Sequence, residues 1–136
     1  MAIQHRLPIS LLCLRLGIFV VMLAWTVDKF IRPEHAAGVF GHFYGIADIG
    51  PTIMYGLAAL EMVLLLAFLL GIKRRISYGL VLLLHGISTL SSWYQYSHPF
   101  EGSNLLFFAA WPMLAACLML YLMRDQDNLL TIPRMA

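Results

Sequence analysis

Charged residues are scarce in this chain of 136 residues, where Asp, Glu, Lys and Arg together make up 12%. Soluble domains carry roughly 25% charged residues, because a water-facing globule needs a polar coat. Hydrophobic residues make up 61%, and the mean hydropathy is +0.81. The shortage of charge argues against a soluble domain. It also argues against nucleic acid as a partner, since the few basic side chains form no basic face.

Cysteine is scarce as well, with only Cys13 and Cys117 in the chain. They form neither a C-x-x-C pair nor a zinc-ligand spacing. No motif for a haem or an iron–sulfur cluster accompanies them. We therefore expect two buried, inert thiols rather than a redox or metal centre built by this chain.

Long apolar runs are abundant. Four of them cover residues 9–27, 49–72, 76–97 and 104–123, and each is near the roughly 20 residues that span a bilayer as a helix. They show no alternation of period two, which argues against a barrel. The first run carries Arg15 and lacks a small-x-small cleavage site, so we expect it to be retained as a span. The prediction is an all-α membrane protein, a four-transmembrane-helix bundle forming a single integral membrane domain over residues 1–136.

The connection between the first two spans contains a further helical pattern. Pro33 is placed to open a helix. Apolar side chains then recur on one face, at Ala36, Phe40, Phe43, Tyr44 and Ala47. We predict a short amphipathic helix at the membrane interface. In the fourth span, Pro112 is expected to bend the helix.

Basic residues are distributed unequally between the two sides of the predicted bundle. If both termini are cytoplasmic, the inner side holds Arg6, Lys73, Arg74, Arg75, Arg124 and Arg134. The outer side then holds only Lys29 and Arg32, offset by nearby acidic residues. The positive-inside rule therefore predicts a multi-pass protein with its N and C termini inside.

Three ionisable side chains interrupt the spans. Arg15, Glu61 and His85 each lie on a different predicted helix, and matching their depths places them in one layer. Ionisable residues inside a membrane are costly, and they often mark functional sites. The layer is a candidate headgroup pocket or proton relay. The alternative is a structural salt bridge that fixes helix register, with Arg15 extending its side chain inward.

Polar side chains continue from His85 along one face of the third span. Ser88 and Thr89 follow it at helical spacing, with Ser92 one turn further on. A stripe of this kind on a spanning helix faces protein or water rather than lipid. It predicts either a cavity lining or ordinary hydrogen bonding between helices.

The outer ends of the spans supply a candidate cavity mouth, formed by Trp25, Asp28, Lys29 and Trp93. Asp28 and Lys29 have an alternative role as a helix cap at headgroup level. We predict no metal site. The alternative is a site formed by His35 and His42, whose imidazoles suit a divalent ion but lie in a glycine-broken helix.

Three stretches of the sequence resemble the DoxX family of small bacterial four-helix membrane proteins. The first runs from Leu14-Arg15-Leu16-Gly17 through Trp25 to Asp28-Lys29, and the second from Phe40 to Pro51. The third runs from Leu60-Glu61 through Leu70-Gly71-Ile72 to Arg74-Arg75. Together they lie within residues 11–85. The last third departs from the glycine-rich ending and Ser-Leu-Asp motif of some members, and reads Arg124-Asp125-Gln126-Asp127 instead.

The resemblance implies a location in the bacterial inner (cytoplasmic) membrane. Some DoxX members are subunits of thiosulfate:quinone oxidoreductase, and others are linked to oxidative stress. The resemblance therefore implies a redox-linked, quinone-associated membrane subunit, at most a non-catalytic or quinone-binding part of an oxidoreductase. The expected ligand is a quinone or a lipid, and the expected partners are the bilayer and a redox subunit that supplies electrons.

Two other functions stay open from the sequence. One is a non-enzymatic membrane scaffold or an assembly or stress-response factor, in which the polar layer is structural. The other is a carrier of a small molecule or lipid, although four spans without an internal repeat are few for alternating access. Small residues such as Gly56, Ala59, Gly79 and Gly86 permit close contacts between helices, within one chain or in a homo-oligomer.

Overall fold

The computed structural model describes residues 2–133, so that Arg134, counted above among the basic residues, lies outside the described part. Within residues 2–133 the regular secondary structure is entirely helical, with no strand, which confirms the all-α class. The α-helices are α1 (Ala2–Ile31), α2 (Pro33–Tyr44), α3 (Pro51–Leu69), α4 (Arg74–Ser91), α5 (Trp93–Ser97) and α6 (Ala110–Leu122). A 3-10 helix over Asn104–Ala109 leads into α6.

Three helical stretches are long and apolar enough to cross a membrane, and they indicate a membrane protein. They are α1, α3 and the continuous stretch Asn104–Leu122. Among the described residues, α4 is not apolar enough to count as a fourth such helix. Arg74, Arg75 and His85 lower the mean hydropathy of its 18 residues.

The four long helices pack in a ring. α1 contacts α3 and α6, and α4 contacts α3 and α6, while α2 lies against α1 and α3 with a smaller contact to α4. The buried core lies in one half of this ring, between Leu11 and Ile18 of α1, Leu65 of α3, Val81 of α4 and Leu120 of α6. We call this half the basic end, because the turn with Lys73, Arg74 and Arg75 and the residue Arg124 lie there. The other half, beside α2, is the α2 end.

Proline and glycine set the helix boundaries. α1 stops before Arg32, whose backbone leaves the helical region because Pro33 follows it. Pro33 and Pro51 open α2 and α3 at positions where a missing N–H costs nothing. α2 ends at Gly45, which adopts φ +67° as a left-handed cap. The predicted apolar face of α2 therefore ends at Tyr44, and Ala47 lies beyond the helix.

Two predicted spans differ in detail. The third, predicted over residues 76–97, is divided at Ser92, whose φ of −88° and ψ of 27° separate α4 from α5. In the fourth, the 3-10 helix gives way to α geometry at Ala110, so that Pro112 lies in the first turn of α6. There its missing N–H removes no α-helical hydrogen bond. The irregularity expected at Pro112 is thus a change of helix type just before it.

The C-terminal segment, residues 123–133, folds back across the basic end of the ring. Its backbone N–H at Ile132 donates to the carbonyl of Leu70 over 2.8 Å. Gly71 permits the close approach, because a Cβ there would lie 2.7 Å from Cγ2 of Thr131. The segment therefore closes the end of the bundle that carries the basic turn.

Candidate functional site

Glu61 of α3 forms an ion pair with Lys29 of α1. Their Oε2 and Nζ atoms lie 2.9 Å apart, and the side chains are only 16% and 11% exposed. The hydroxyl of Thr26, one turn before Lys29, donates to Oε1 of Glu61 over 2.8 Å. Both carboxylate oxygens are therefore held, which explains how an acidic residue is tolerated inside an apolar helix.

These contacts correct the predicted layer of Arg15, Glu61 and His85. The carboxylate is partnered by Lys29 rather than by Arg15 or His85. The physical reason is register, since α1 continues to Ile31 and lies against α3 so that its last turns meet the middle of α3. Arg15 lies about 21 Å from Lys29 along α1, at 1.5 Å per residue.

Arg15 belongs to a second polar cluster, at the basic end. Its Nη1 lies 2.9 Å from Oδ2 of Asp127, and both side chains are fully buried. The hydroxyl of Tyr78 donates to the same carboxylate oxygen over 2.6 Å. A second guanidinium nitrogen donates to the carbonyl of Leu129. Arg15 thus binds the C-terminal segment to the bundle.

Sequence reasoning missed Asp127 because it lies after the last apolar run, in a segment without helical periodicity. One signal was present in the sequence, namely an arginine inside a span with no counter-ion of its own. A buried guanidinium needs such a partner. Asp125 and Asp127, on the same predicted side of the membrane as the inner half of that span, were the remaining acidic candidates.

Arg74 holds the C-terminal segment from a second helix. Its guanidinium donates to the carbonyls of Gly71 and Arg124, at 3.2 and 3.1 Å, and to the hydroxyl of Thr131 at 2.8 Å. Arg15 of α1 therefore holds the middle of the segment, while Arg74 of α4 holds it near both ends.

A cavity of about 970 Å³ lies between α1, α2, α4 and the 3-10 and α6 region. Apolar side chains such as Val21, Phe40, Leu84 and Met113 form most of its wall. The core fills the basic end of the ring, and the cavity extends from the α2 end along α1 as far as Cys13. Ligand pockets in proteins commonly have ~300–1,000 Å³ and mainly apolar walls.

Polar side chains line this cavity at a few positions, and most were predicted as site residues. The lining includes Trp25, Asp28, Lys29, Glu61, His85 and Ser88. The structure thus brings predicted pocket and mouth residues to one space, although Arg15 is absent from its lining.

Two further predicted residues lie outside the cavity lining. Thr89 is buried and donates its hydroxyl to the carbonyl of His85 over 2.7 Å, so it supports that residue from the helix interior. Trp93 is 75% exposed and does not line the cavity. The predicted stripe on α4 therefore divides between a cavity-lining part and a buried part.

Asp28 anchors a small network at the α2 end. Its carboxylate accepts a hydrogen bond from Nε of Arg32 at 2.6 Å and lies 2.7 Å from Nδ1 of His35. His42 instead packs edge-on against Phe43. Within residues 2–133 no three His, Cys, Asp or Glu side chains gather as metal ligands. His35 is thus engaged by Asp28 rather than paired with His42.

The two cysteines have different environments. Cys117 is buried, as expected, whereas Cys13 is exposed and lines the cavity. The expectation of two buried thiols is therefore wrong for Cys13. The two remain free thiols on different helices.

Comparisons with known proteins give no match for this chain among protein-family models, curated proteins or solved structures.

Proposed function

We propose that this chain is a multi-pass membrane protein that binds an apolar molecule with a polar head in the cavity between α1, α2, α4 and α6. The observation that supports this proposal best is the cavity itself, a space of about 970 Å³ lined by apolar side chains and a few polar groups. That volume suits a ring-bearing or chain-bearing lipid-like molecule.

In this proposal α4 is a fourth span. It packs between α3 and α6, and its 18 residues rise about 27 Å at 1.5 Å per residue, close to a hydrocarbon core of ~30 Å. Its arginines lie at one end and its cavity-lining residues His85 and Ser88 in the second half. A polar face of this kind is directed toward protein and ligand rather than lipid.

The proposal also places α2 at the membrane interface. α2 contacts the end of α1 and the start of α3, and Ala36 is its buried contact residue. Phe40, Phe43 and Tyr44 face the cavity from this helix. α2 then forms a cover over the cavity, with the N and C termini of the chain on the opposite side of the membrane.

A quinone is the occupant that we propose, in a redox-linked subunit of the DoxX type in the bacterial inner membrane. Its ring would lie near His85 and Lys29, whose hydrogen-bonding groups border the cavity. The tail would follow the apolar wall of α1. Electrons would come from a partner subunit, and this chain would bind and orient the quinone.

A non-enzymatic scaffold is the second candidate, and one observation favours it. The cluster of Arg15, Tyr78 and Asp127 is enclosed, and its groups hold the C-terminal segment rather than line the cavity. These ionisable groups thus have a structural role. In a scaffold, the cavity would contain only exchangeable bilayer lipid.

Analysis of copurified molecules tests the proposal. Gly17 lines the cavity, and a Cβ at this position would meet no atom within 4 Å, so Gly17→Phe would place a ring in the cavity. Gly56→Phe is the matched control, because Gly56 is also helical, exposed and open, but lies outside the cavity lining. The protein is extracted in mild detergent, and its organic extract is analysed by mass spectrometry.

The proposal expects a discrete apolar molecule in near-equal ratio to the protein. Gly17→Phe should reduce it roughly tenfold, which corresponds to a loss of ~1.4 kcal/mol in binding, and Gly56→Phe should leave it unchanged. A quinone among the extracted molecules supports the redox subunit. Bulk phospholipid alone, equal in both variants, supports the scaffold and contradicts the binding function.

A further inference from the structure

The charges that border the cavity are already paired with one another. Lys29 is held by Glu61, and Asp28 is held by Arg32 and His35. A charged head would have to separate one of these pairs or remain unpaired in an apolar space, and both are costly. The cavity therefore favours an uncharged head.

The hydrogen bonds of His85 determine what its ring offers to a ligand. Nε2 lies 3.0 Å from the carbonyl oxygen of Ala110, and a carbonyl can only accept. Nε2 therefore carries the proton. The nearby hydroxyl of Thr89 donates its proton to the backbone carbonyl of His85, so its oxygen is free to accept from Nε2 as well.

With the proton on Nε2, a neutral His85 has an unprotonated Nδ1, which is an acceptor. Within the described residues Nδ1 has no hydrogen-bond partner, and His85 has no carboxylate partner in an ion pair. Ser88 lies one turn further along the same helix and also lines the cavity. Its hydroxyl donates to nothing in residues 2–133, so it can donate to a ligand.

We infer that the cavity selects an uncharged amphiphile that bears a hydroxyl group, an alcohol or a phenol. The hydroxyl donates to Nδ1 of His85 and accepts from the hydroxyl of Ser88. A ketone or an ether in the same position can only accept, and it leaves Nδ1 without a partner. This inference rests on the proposed binding function and adds the chemistry of the head. Of the oxidised and reduced forms of a quinone, only the reduced form carries hydroxyl groups that can donate to Nδ1, so the cavity would hold that form in preference to the quinone itself.

The test compares three probes of one chain length: dodecanol, dodecyl methyl ether and dodecanoate. Trp25 lines the cavity, and it becomes the only tryptophan in the variant Trp93→Phe/Trp111→Phe. Its emission reports binding in nanodiscs of zwitterionic lipid. The same titrations of the single-tryptophan variant that also carries Gly17→Phe measure the partition of each probe into the lipid, and this signal is subtracted.

We expect dodecanol to bind roughly five- to tenfold more tightly than the ether, the ratio that one net hydrogen bond gives. Dodecanoate should bind more weakly than dodecanol. His85→Phe keeps an aromatic ring but removes the acceptor, and it should bring the ratio of alcohol to ether near one. Should this variant not fold, the comparison of probes on the His85 protein decides alone.

The outcomes separate the two proposals. Equal affinity for the alcohol and the ether, or a preference for dodecanoate, overturns the selection of a hydroxyl head while the cavity remains a binding site. If no probe causes a change in Trp25 emission that Gly17→Phe abolishes, the proposed binding function itself is overturned.

Discussion

At the scale of single residues, two charges on α1 are tolerated in buried positions because each has a counter-ion on another element. Lys29 and Glu61 join α1 to α3, and Arg15 and Asp127 join α1 to the C-terminal segment. The first pair borders the cavity and the second is enclosed. An unmatched charge in either place would carry the full cost of its lost hydration.

Replacing Glu61 with Ala should destabilise the protein, because Lys29 would remain largely buried without a counter-ion. We expect a loss of roughly 3 kcal/mol in the free energy of unfolding, visible as a lower midpoint of thermal unfolding in detergent. The double variant Lys29→Met/Glu61→Met should recover most of that loss. Glu34→Ala is the control, since Glu34 is exposed and should change the midpoint little. If Glu61→Ala and Glu34→Ala behave alike, the ion pair contributes nothing to stability.

Replacing Asp127 with Asn should be at least as damaging. The change preserves size but leaves the fully buried Arg15 without its counter-ion, at an expected cost of about 3–5 kcal/mol. Asp48→Asn removes an equal charge from an exposed loop position with φ +61°, a conformation that Asn also adopts readily. Thermal unfolding of the two variants in the same detergent makes the comparison. An unchanged midpoint for Asp127→Asn would contradict the structural role of the cluster.

The sequence predicted that buried charges would be partnered, but not which partners they have. Depth matching assumed that α1 was centred near Ile18, whereas the helix extends to Ile31 and brings Lys29 opposite Glu61. The partner of Arg15 lies 112 positions away, in a segment without an apolar pattern. Pairings of this kind depend on how the helices align and on where the chain folds back. A periodic apolar pattern encodes neither.

At the scale of elements, the C-terminal segment is the part of the structure that the apolar pattern does not reveal. The helices themselves follow from apolar runs and from the prolines that open α2 and α3. The segment instead depends on Arg15, Arg74 and the close approach of Thr131 to Gly71. It fills the basic end where the helices leave polar groups unpaired.

Substitution of Gly71 measures how firmly this segment is docked. Gly71 and Gly45 both have φ +67°, so Ala at either position incurs similar backbone strain of ~1–2 kcal/mol. Only at Gly71 would the new Cβ collide with Thr131, while at Gly45 it meets no atom within 4 Å. We expect Gly71→Ala to cost about 1–3 kcal/mol more than Gly45→Ala in unfolding experiments. Equal losses would show that the segment does not lie against the turn.

At the scale of the whole molecule, the four long helices pack around a core at the basic end, and a cavity runs from the α2 end along α1. All-helical structure and apolar spans were predictable, because composition and run length carry that information. The cavity was predictable only in part. His85, Ser88, Trp25 and Lys29 were recognised as its residues, while its position away from Arg15 depends on packing.

The orientation in the membrane is a prediction at this scale. Cysteines introduced by Arg75→Cys and Glu101→Cys lie at exposed positions on opposite ends of α4 and its extension, in a background of Cys13→Ser/Cys117→Ser. Arg75 serves as the inner position because its neighbour Arg74 is buried and hydrogen-bonded. In intact cells, an impermeant maleimide should label position 101 and spare position 75. Labelling of both from outside would contradict a fourth span.

The most direct measurement of the central claim is an experimental density map of the protein in lipid nanodiscs. We predict continuous density in the cavity, bordered by Val21, Trp25 and Leu84, with its polar end beside His85 and Ser88. The same map of Gly17→Phe should lack that density while the helices keep their positions. A map in which α1 closes against α4 and α6 and leaves no space between them would contradict the proposed binding function.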